Sequence, residues 1–179
     1  IVASSEIEGL LLNPDQVRSS IARRMGVQIT GEVPYGHYVE GIVQMMMDAV
    51  QGYDKPLTDD RLFGWHCALF PNGRNGYEEI NVGKYRVDEM SVISGALGRE
   101  KVHYHAPAPE RVPEEMNIFL KWFNDTSTPR DYVKSAIAHF WFVCIHPFDD
   151  GNGRIGRAIA DMALSQADNS TLRYFSMSR

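Results

Sequence analysis

No block of lysine and arginine occurs in the chain, whose net charge is −5. Nucleic-acid binding by counterion release needs a concentrated basic surface, so no nucleic-acid partner is expected and only local basic pockets stay open. No apolar run is long enough to span a bilayer: the most apolar stretch, AIAHFWFVCI at 136–145, is short and contains His139. No membrane partner is expected. Cysteine is scarce, with Cys67 and Cys144 far apart and Cys144 inside an apolar helical run. The pair reads as two reduced core thiols, which points to the cytoplasm. Repeats and low-complexity tracts are absent, as are an initiating methionine and a signal-like region. With no obvious terminator at the closing FSMSR, the chain reads as a fragment.

What remains is a length of 179 residues, suited to one domain with one core, and a balance of 44% apolar to 23% charged residues that fits a soluble globular protein. NPDQVRSSIARRMG predicts a short amphipathic helix with Asn13 as N-cap, Pro14 at the first helical position and Gly26 just past the end. YVEGIVQMMMDAV sets Val39, Ile42, Val43, Met46, Met47 and Val50 on one helical face, which makes the methionine stripe core rather than a cofactor box. Thr58 caps a helix through Leu62, Trp65 and Leu69 that Pro71 ends, and the Gly/Asn-rich PNGRNGYEEINVG after it reads as a mobile loop.

Residues 91–105, SVISGALGREKVHYH, predict a small β-hairpin with its tip near Gly95–Glu100. Pro113 opens a helix with Met116, Phe119, Leu120 and Phe123 inward, and Thr128-Pro129 opens another through Cys144. That second helix is apolar nearly all round, with Val133, Ile137, Phe140, Trp141, Val143 and Cys144, and is expected to be the buried centre of the fold. Helical spacing resumes over 153–167 through Ile155, Ile159, Met162 and Ala163. The fold class is all-α, a mostly helical domain with one small β-hairpin.

The densest chemistry lies in HPFDDGNGRIGR, 146–157. Pro147 cannot continue a helix and disfavours α conformation at His146, so the histidine sits where the preceding helix breaks. Phe148 turns back into the core. Gly151-Asn152-Gly153 can adopt positive φ and gather backbone N–H groups at a helix N-terminus, which makes an anion site. Arg154 and Arg157, three apart, lie on the same side of that helix, where two guanidinium forks can hold phosphate oxygens. A carboxylate among these groups suits a Mg²⁺ ion bridging to phosphate, and a histidine beside them suits proton removal from a hydroxyl. The bland alternative is a polar helix–helix turn with a capping Asp and Asn. No GK[ST] follows, so the run is not a Walker A loop.

The same twelve residues match HxFx[DE]GNGRxxR at every defined position and so resemble the signature of Fic-domain proteins; the helical order and hairpin over roughly 40–170 are similar to that family too. The resemblance implies AMP transfer from ATP to a Ser, Thr or Tyr hydroxyl of a target protein, with pyrophosphate leaving. It makes His146 the general base, Asp150 the Mg²⁺ ligand, Gly151, Asn152 and Gly153 the anion hole, Arg154 a ligand of the nucleotide phosphates and Arg157 a ligand toward their β/γ end. It also makes the hairpin a flap that docks the target by main-chain pairing, through Ile93, Ser94, Gly95, Val102, His103, Tyr104 and His105. A homodimer is a further expectation from the family.

Near the N-terminus, SSEIEG resembles the family's inhibitory [ST]xxxE[GN] motif, with Ser4, Glu8 and Gly9 at its defined positions. Alone it would read as an acidic helix start. The resemblance implies a salt bridge from Glu8 to Arg157 that bars the productive ATP pose, and a division into an inhibitory segment, 1–35, and a catalytic domain, 36–179. A de-AMPylating enzyme, another phosphate-group transferase or a silent nucleotide-sensing module are the rival readings. Two further choices concern ligands. His103 and His105 could bind metal with His66 or His37 but read better as flap or surface residues, and Asp150 is preferred over Asp149 because adjacent side chains point apart.

Overall fold

Side-chain caps decide where the helices begin. In the computed structural model, which describes residues 1–94 and 101–172, Asn13 accepts from the Asp15 N–H at 2.9 Å to open α2, Pro14–Arg24. Thr58 accepts from the Arg61 N–H at 3.2 Å to open α4, Asp59–Leu69. Both caps are those the sequence predicts. The third differs: α6, Tyr132–Ile145, starts three residues beyond Pro129, because Asp131 is extended and its carboxylate takes the Lys134 N–H at 2.8 Å. The remaining helices are α1, Val2–Glu6, α3, His37–Gln51, α5, Val112–Asn124, and α7, Asn152–Asp168.

The buried centre is α7 rather than α6. Every residue of α7 from Arg154 to Ser165 is buried, and α1, α3, α4 and α6 all pack on it. Helix α6 turns Ser135, Ala138, Phe142 and Ile145 inward and leaves Val133, Ile137 and Phe140 at 62%, 44% and 71% exposure. Helix α7 offers α6 a close crossing: a Cβ at Gly156 would lie 3.1 Å from the His139 ring and 3.2 Å from Val143. Small residues let the inward face of α6 seat there, so its bulkier apolar side faces away. The methionine stripe of α3 is core as predicted, with Val39, Ile42, Val43 and Met46 buried. Met45 and Ala49 join them, while Met47 and Val50 are half-buried.

The stretch after α4 is no slack loop. Two short strands, β1, Arg74–Asn75, and β2, Glu78–Glu79, pair antiparallel, and asparagines on either side of the turn reach the signature loop. The predicted hairpin forms from β3, Ser91–Ser94, and β4, Lys101–His105, paired Ser91↔His105, Val92↔Tyr104, Ile93↔Val102 and Ser94↔Lys101. The register shift after Val92 leaves His103 as the extra residue of a bulge. Gly95 and the rest of the predicted tip lie outside the described residues. The cysteines depart from expectation, since Cys67 is exposed and Cys144 half-buried, both as free thiols. Among the described residues no helix is long and apolar enough to cross a membrane.

Candidate active site

Helix α6 stops at Ile145, and His146 follows in the left-handed region at φ 51, ψ 59. A non-glycine residue held there costs about 1–3 kcal/mol, and the following proline removes the right-handed alternative. The turn brings His146 Nδ1 to 3.2 Å from the Val143 carbonyl. A carbonyl only accepts, so Nδ1 carries the proton and Nε2 keeps its lone pair. Burial pushes the imidazole pKa below its ordinary value, with a contribution from the nearby Arg86 charge, and the Val143 bond opposes this only in part. His146 is therefore a neutral imidazole protonated on Nδ1.

Phe148 is wholly buried and stacks on His66 at 4.3 Å. Asn152 closes the loop: its Oδ1 accepts from the Phe148 N–H at 3.0 Å and its Nδ2 donates to the Phe148 carbonyl at 2.7 Å. The amide side chain is thus spent on the loop, leaving only the backbone N–H of Asn152 for an anion. Gly151 takes φ 82 to start α7.

The two aspartates do point apart. Asp149 Oδ2 accepts from the Asn81 N–H and side-chain amide at 2.9 and 2.8 Å, toward the β1–β2 segment. Asp150 faces Arg154, whose Nη2 is 3.3 Å from its Oδ1, and accepts from Asn75 Nδ2 at 2.6 Å on Oδ2. Arg154 is 6% exposed and lies 4.9 Å over the Phe70 ring, with Tyr38 OH 3.5 Å from Nη1. Its Nε is buried without a partner among the described residues.

The distant motif arrives at the same place. Helix α1 ends at Glu6 and Gly9 takes φ 72, turning Glu8 over the start of α7. Arg157 Nη2 donates to Glu8 Oε1 at 2.7 Å, and Arg157 Nε donates to Ser4 Oγ at 2.6 Å. A Cβ at Gly153 would lie 2.3 Å from Glu8 Oε1, so a carboxylate oxygen sits directly on the glycine face at the start of α7. Ser4, Glu8, Gly153 and Arg157 form one cluster.

The other histidines are dispersed. His105 Nδ1 is 2.8 Å from Ser91 Oγ and His103 Nε2 is 2.6 Å from Ser94 Oγ, both on the exposed hairpin. His66 is buried and accepts from the Gly83 N–H at 3.2 Å. Tyr104 donates to the Cys144 carbonyl at 3.0 Å, tying the hairpin to α6. Sequence reasoning missed Tyr38, Phe70, Asn75, Asn81 and Arg86; each sits at a site only through the packing of separate elements, and only the asparagine-rich text of 72–81 gave a local hint.

Comparison with known proteins agrees with this geometry. A family model described as the Fic/DOC family matches residues 56–164, and one described as a domain of unknown function (DUF4172) matches residues 1–27. The chain is 38% identical over 172 residues to protein adenylyltransferase Fic of Nematostella vectensis, covering 93% of this chain and 37% of that protein. It is 30% identical over 119 residues to the uridine 5'-monophosphate transferase of Xanthomonas campestris pv. campestris (strain 8004), covering 62% and 21%. A Fic family protein from Desulfovibrio desulfuricans G20 superposes with a TM-score of 0.62 at 27% identity, over 92% of this chain and 46% of that one. The chain spans less than half the length of the curated relatives it matches. With the family model covering more than half of the residues and the signature assembled around a neutral histidine, this chain belongs to the Fic/DOC family.

Proposed function

We propose that this chain is an auto-inhibited protein adenylyltransferase. ATP is the nucleotide, and a Ser, Thr or Tyr hydroxyl of a target protein docked at the flap is the acceptor. The N–H groups of Gly151, Asn152 and Gly153 and the α7 dipole receive the phosphates, Arg154 holds them by its fork and Arg157 serves their β/γ end. His146 Nε2 takes the hydroxyl proton, the oxygen forms its bond to the α-phosphorus, and the bond to the β-phosphate oxygen breaks to release pyrophosphate. Asp150, a hard oxygen ligand already directed at the phosphate-binding arginine, would hold Mg²⁺, which when bound supplies neutralisation of phosphate charge.

The observation that carries the reading is Glu8 Oε1, 2.7 Å from Arg157 Nη2 and lying against Gly153. A carboxylate there repels phosphate and occupies the arginine that phosphate would use. Residues 1–35 are accordingly the inhibitory segment and 36–179 the catalytic domain. The free cysteines suit a cytoplasmic setting, and a homodimer would find an apolar face on α6, where Phe140 is 71% exposed.

The test is labelling of the chain and of a cell lysate with ATP bearing isotope on the α- or the γ-phosphate, and in parallel with α-labelled UTP, since one relative is named a uridine 5'-monophosphate transferase. Label from the α-phosphate of ATP, strongest in Glu8→Gly and lost in Glu8→Gly/His146→Ala, is the expected result. Relief of the Arg157 contact, a charge-assisted bond worth about 1.5–3 kcal/mol, corresponds to a gain of roughly 10- to 100-fold. Label from the γ-phosphate would mean phosphate transfer instead. ATP binding with no label in Glu8→Gly would point to a sensor or a de-AMPylating enzyme.

A further inference from the structure

We propose that Arg86 is a positioning residue that holds His146 in its base-presenting geometry and sets the flap against it. The inference rests on the reading of His146 as the base. Arg86 lies between β2 and β3 and is 2% exposed, among the largest fully buried side chains. Its backbone N–H donates to the Pro147 carbonyl at 2.9 Å. Its Nε donates to the His146 carbonyl at 2.7 Å and its Nη2 reaches the Ile145 carbonyl at 3.4 Å. Three consecutive carbonyls, on both sides of the His146 backbone, are therefore bound by one residue.

The other edge of the same guanidinium faces the hairpin. Nη1 donates to the Asp88 carbonyl at 2.7 Å and Nη2 to the Pro107 carbonyl at 2.6 Å. Those two residues flank the hairpin just outside the Ala106 N–H to Met90 carbonyl bond of 3.0 Å. Both legs of the flap and the turn that carries the base thus converge on a single planar group.

Every partner in this set is a carbonyl, and no ion pair to Arg86 occurs among the described residues. A buried cation is tolerated only when its donors are satisfied. The negative end of the α6 dipole supplies part of the compensation; burial still pushes the Arg86 pKa below its ordinary value, and the carboxylates of Asp149 and Glu110 oppose this only in part. Such an arrangement uses four N–H bonds from one rigid, planar fork, more than the three donors lysine has. It also offsets the cost of the left-handed, pre-proline conformation at His146, on which the Nδ1 to Val143 bond depends.

The experiment uses the 179-residue chain in the Glu8→Gly background, with Arg86→Lys and Arg86→Met added separately. Self-labelling from α-labelled ATP, ATP affinity by calorimetry and the His146 tautomer by ¹⁵N NMR are measured, the His146 signal being identified by its loss in His146→Ala. The expected result is a labelling rate lowered by about 10- to 100-fold, the scale of a misplacement near 1 Å. ATP affinity should change by less than about two-fold, and His146 should lose its preference for the Nδ1-protonated form. Arg86→Lys, which keeps charge and stem, is the decisive variant if Arg86→Met does not fold. Full labelling with an unchanged tautomer in Arg86→Lys would overturn the proposal, as would a fall in rate matched by an equal loss of ATP affinity, or failure of Arg86→Lys itself to fold. Absence of label in Glu8→Gly alone would sink the transferase reading, while the tautomer would still decide the role of Arg86.

Discussion

His66 and His146 are two imidazoles of one loop neighbourhood, both with pKa values pushed down by burial. His146 donates Nδ1–H to the Val143 carbonyl at a helix break, whereas His66 is fully buried under Phe148 and Phe70 and accepts a backbone N–H from Gly83. Desolvation, the largest cause, pushes the His66 pKa down to about 4. Its folded value thus lies below its unfolded one near 6.5, so the stability it lends is full above about pH 6.5 and is lost as pH falls toward 4. Linkage gives a loss of about 2 kcal/mol from this group between about pH 7 and pH 5. Urea unfolding at those two pH values should show that loss in the wild type and a flatter dependence in His66→Gln. Equal slopes in the two proteins would show that His66 does not carry the acid sensitivity.

Helix α6 is the element in which sequence pattern and structure differ most. Its composition supports burial on any side, and periodicity cannot choose a side when apolar residues surround the axis. The choice came from α7, where Gly156 admits close contact with His139 and Val143. Phe142 is consequently fully buried and Phe140, two positions earlier, 71% exposed. Phe142→Ala should cost about 3–5 kcal/mol, and Phe140→Ala should stay within about 0.5 kcal/mol in dilute, monomeric protein, as thermal or urea unfolding would measure. Similar losses at both positions would mean that the outer face is covered in solution. The β1–β2 segment differs for a related reason: glycine and asparagine predict a loop, but the Asn75 and Asn81 bonds to Asp150 and Asp149 depend on an element far along the chain.

Across the whole molecule, the contact between Glu8 and Arg157 joins residues 149 positions apart. It couples the docking of a five-residue helix, α1, to the side chain of Arg157. Binding couplings are reciprocal, so a ligand that competes for Arg157 must loosen α1. Amide exchange over residues 2–9 should quicken when saturating ATP is added to the wild type, and should already be fast in Glu8→Gly/Ser4→Ala without nucleotide. Exchange in the wild type that ignores ATP would mean that the nucleotide does not contend for that arginine.

The sequence alone determined what is local. Asn13 and Thr58 start helices because their side chains satisfy N–H groups a few residues on, and Pro147 breaks α6 at His146 because proline restricts its neighbour. The twelve residues HPFDDGNGRIGR bring a histidine, three glycines and two arginines to one helix start because they are adjacent in the chain. Tertiary structure alone decided which face of α6 is buried, where Glu8 comes to rest and which guanidinium holds the turn of the base. Those outcomes are contacts between distant segments, and a hydrophobic or charged pattern specifies that a face or a charge will be satisfied without specifying by what; packing around α7 selects the partner.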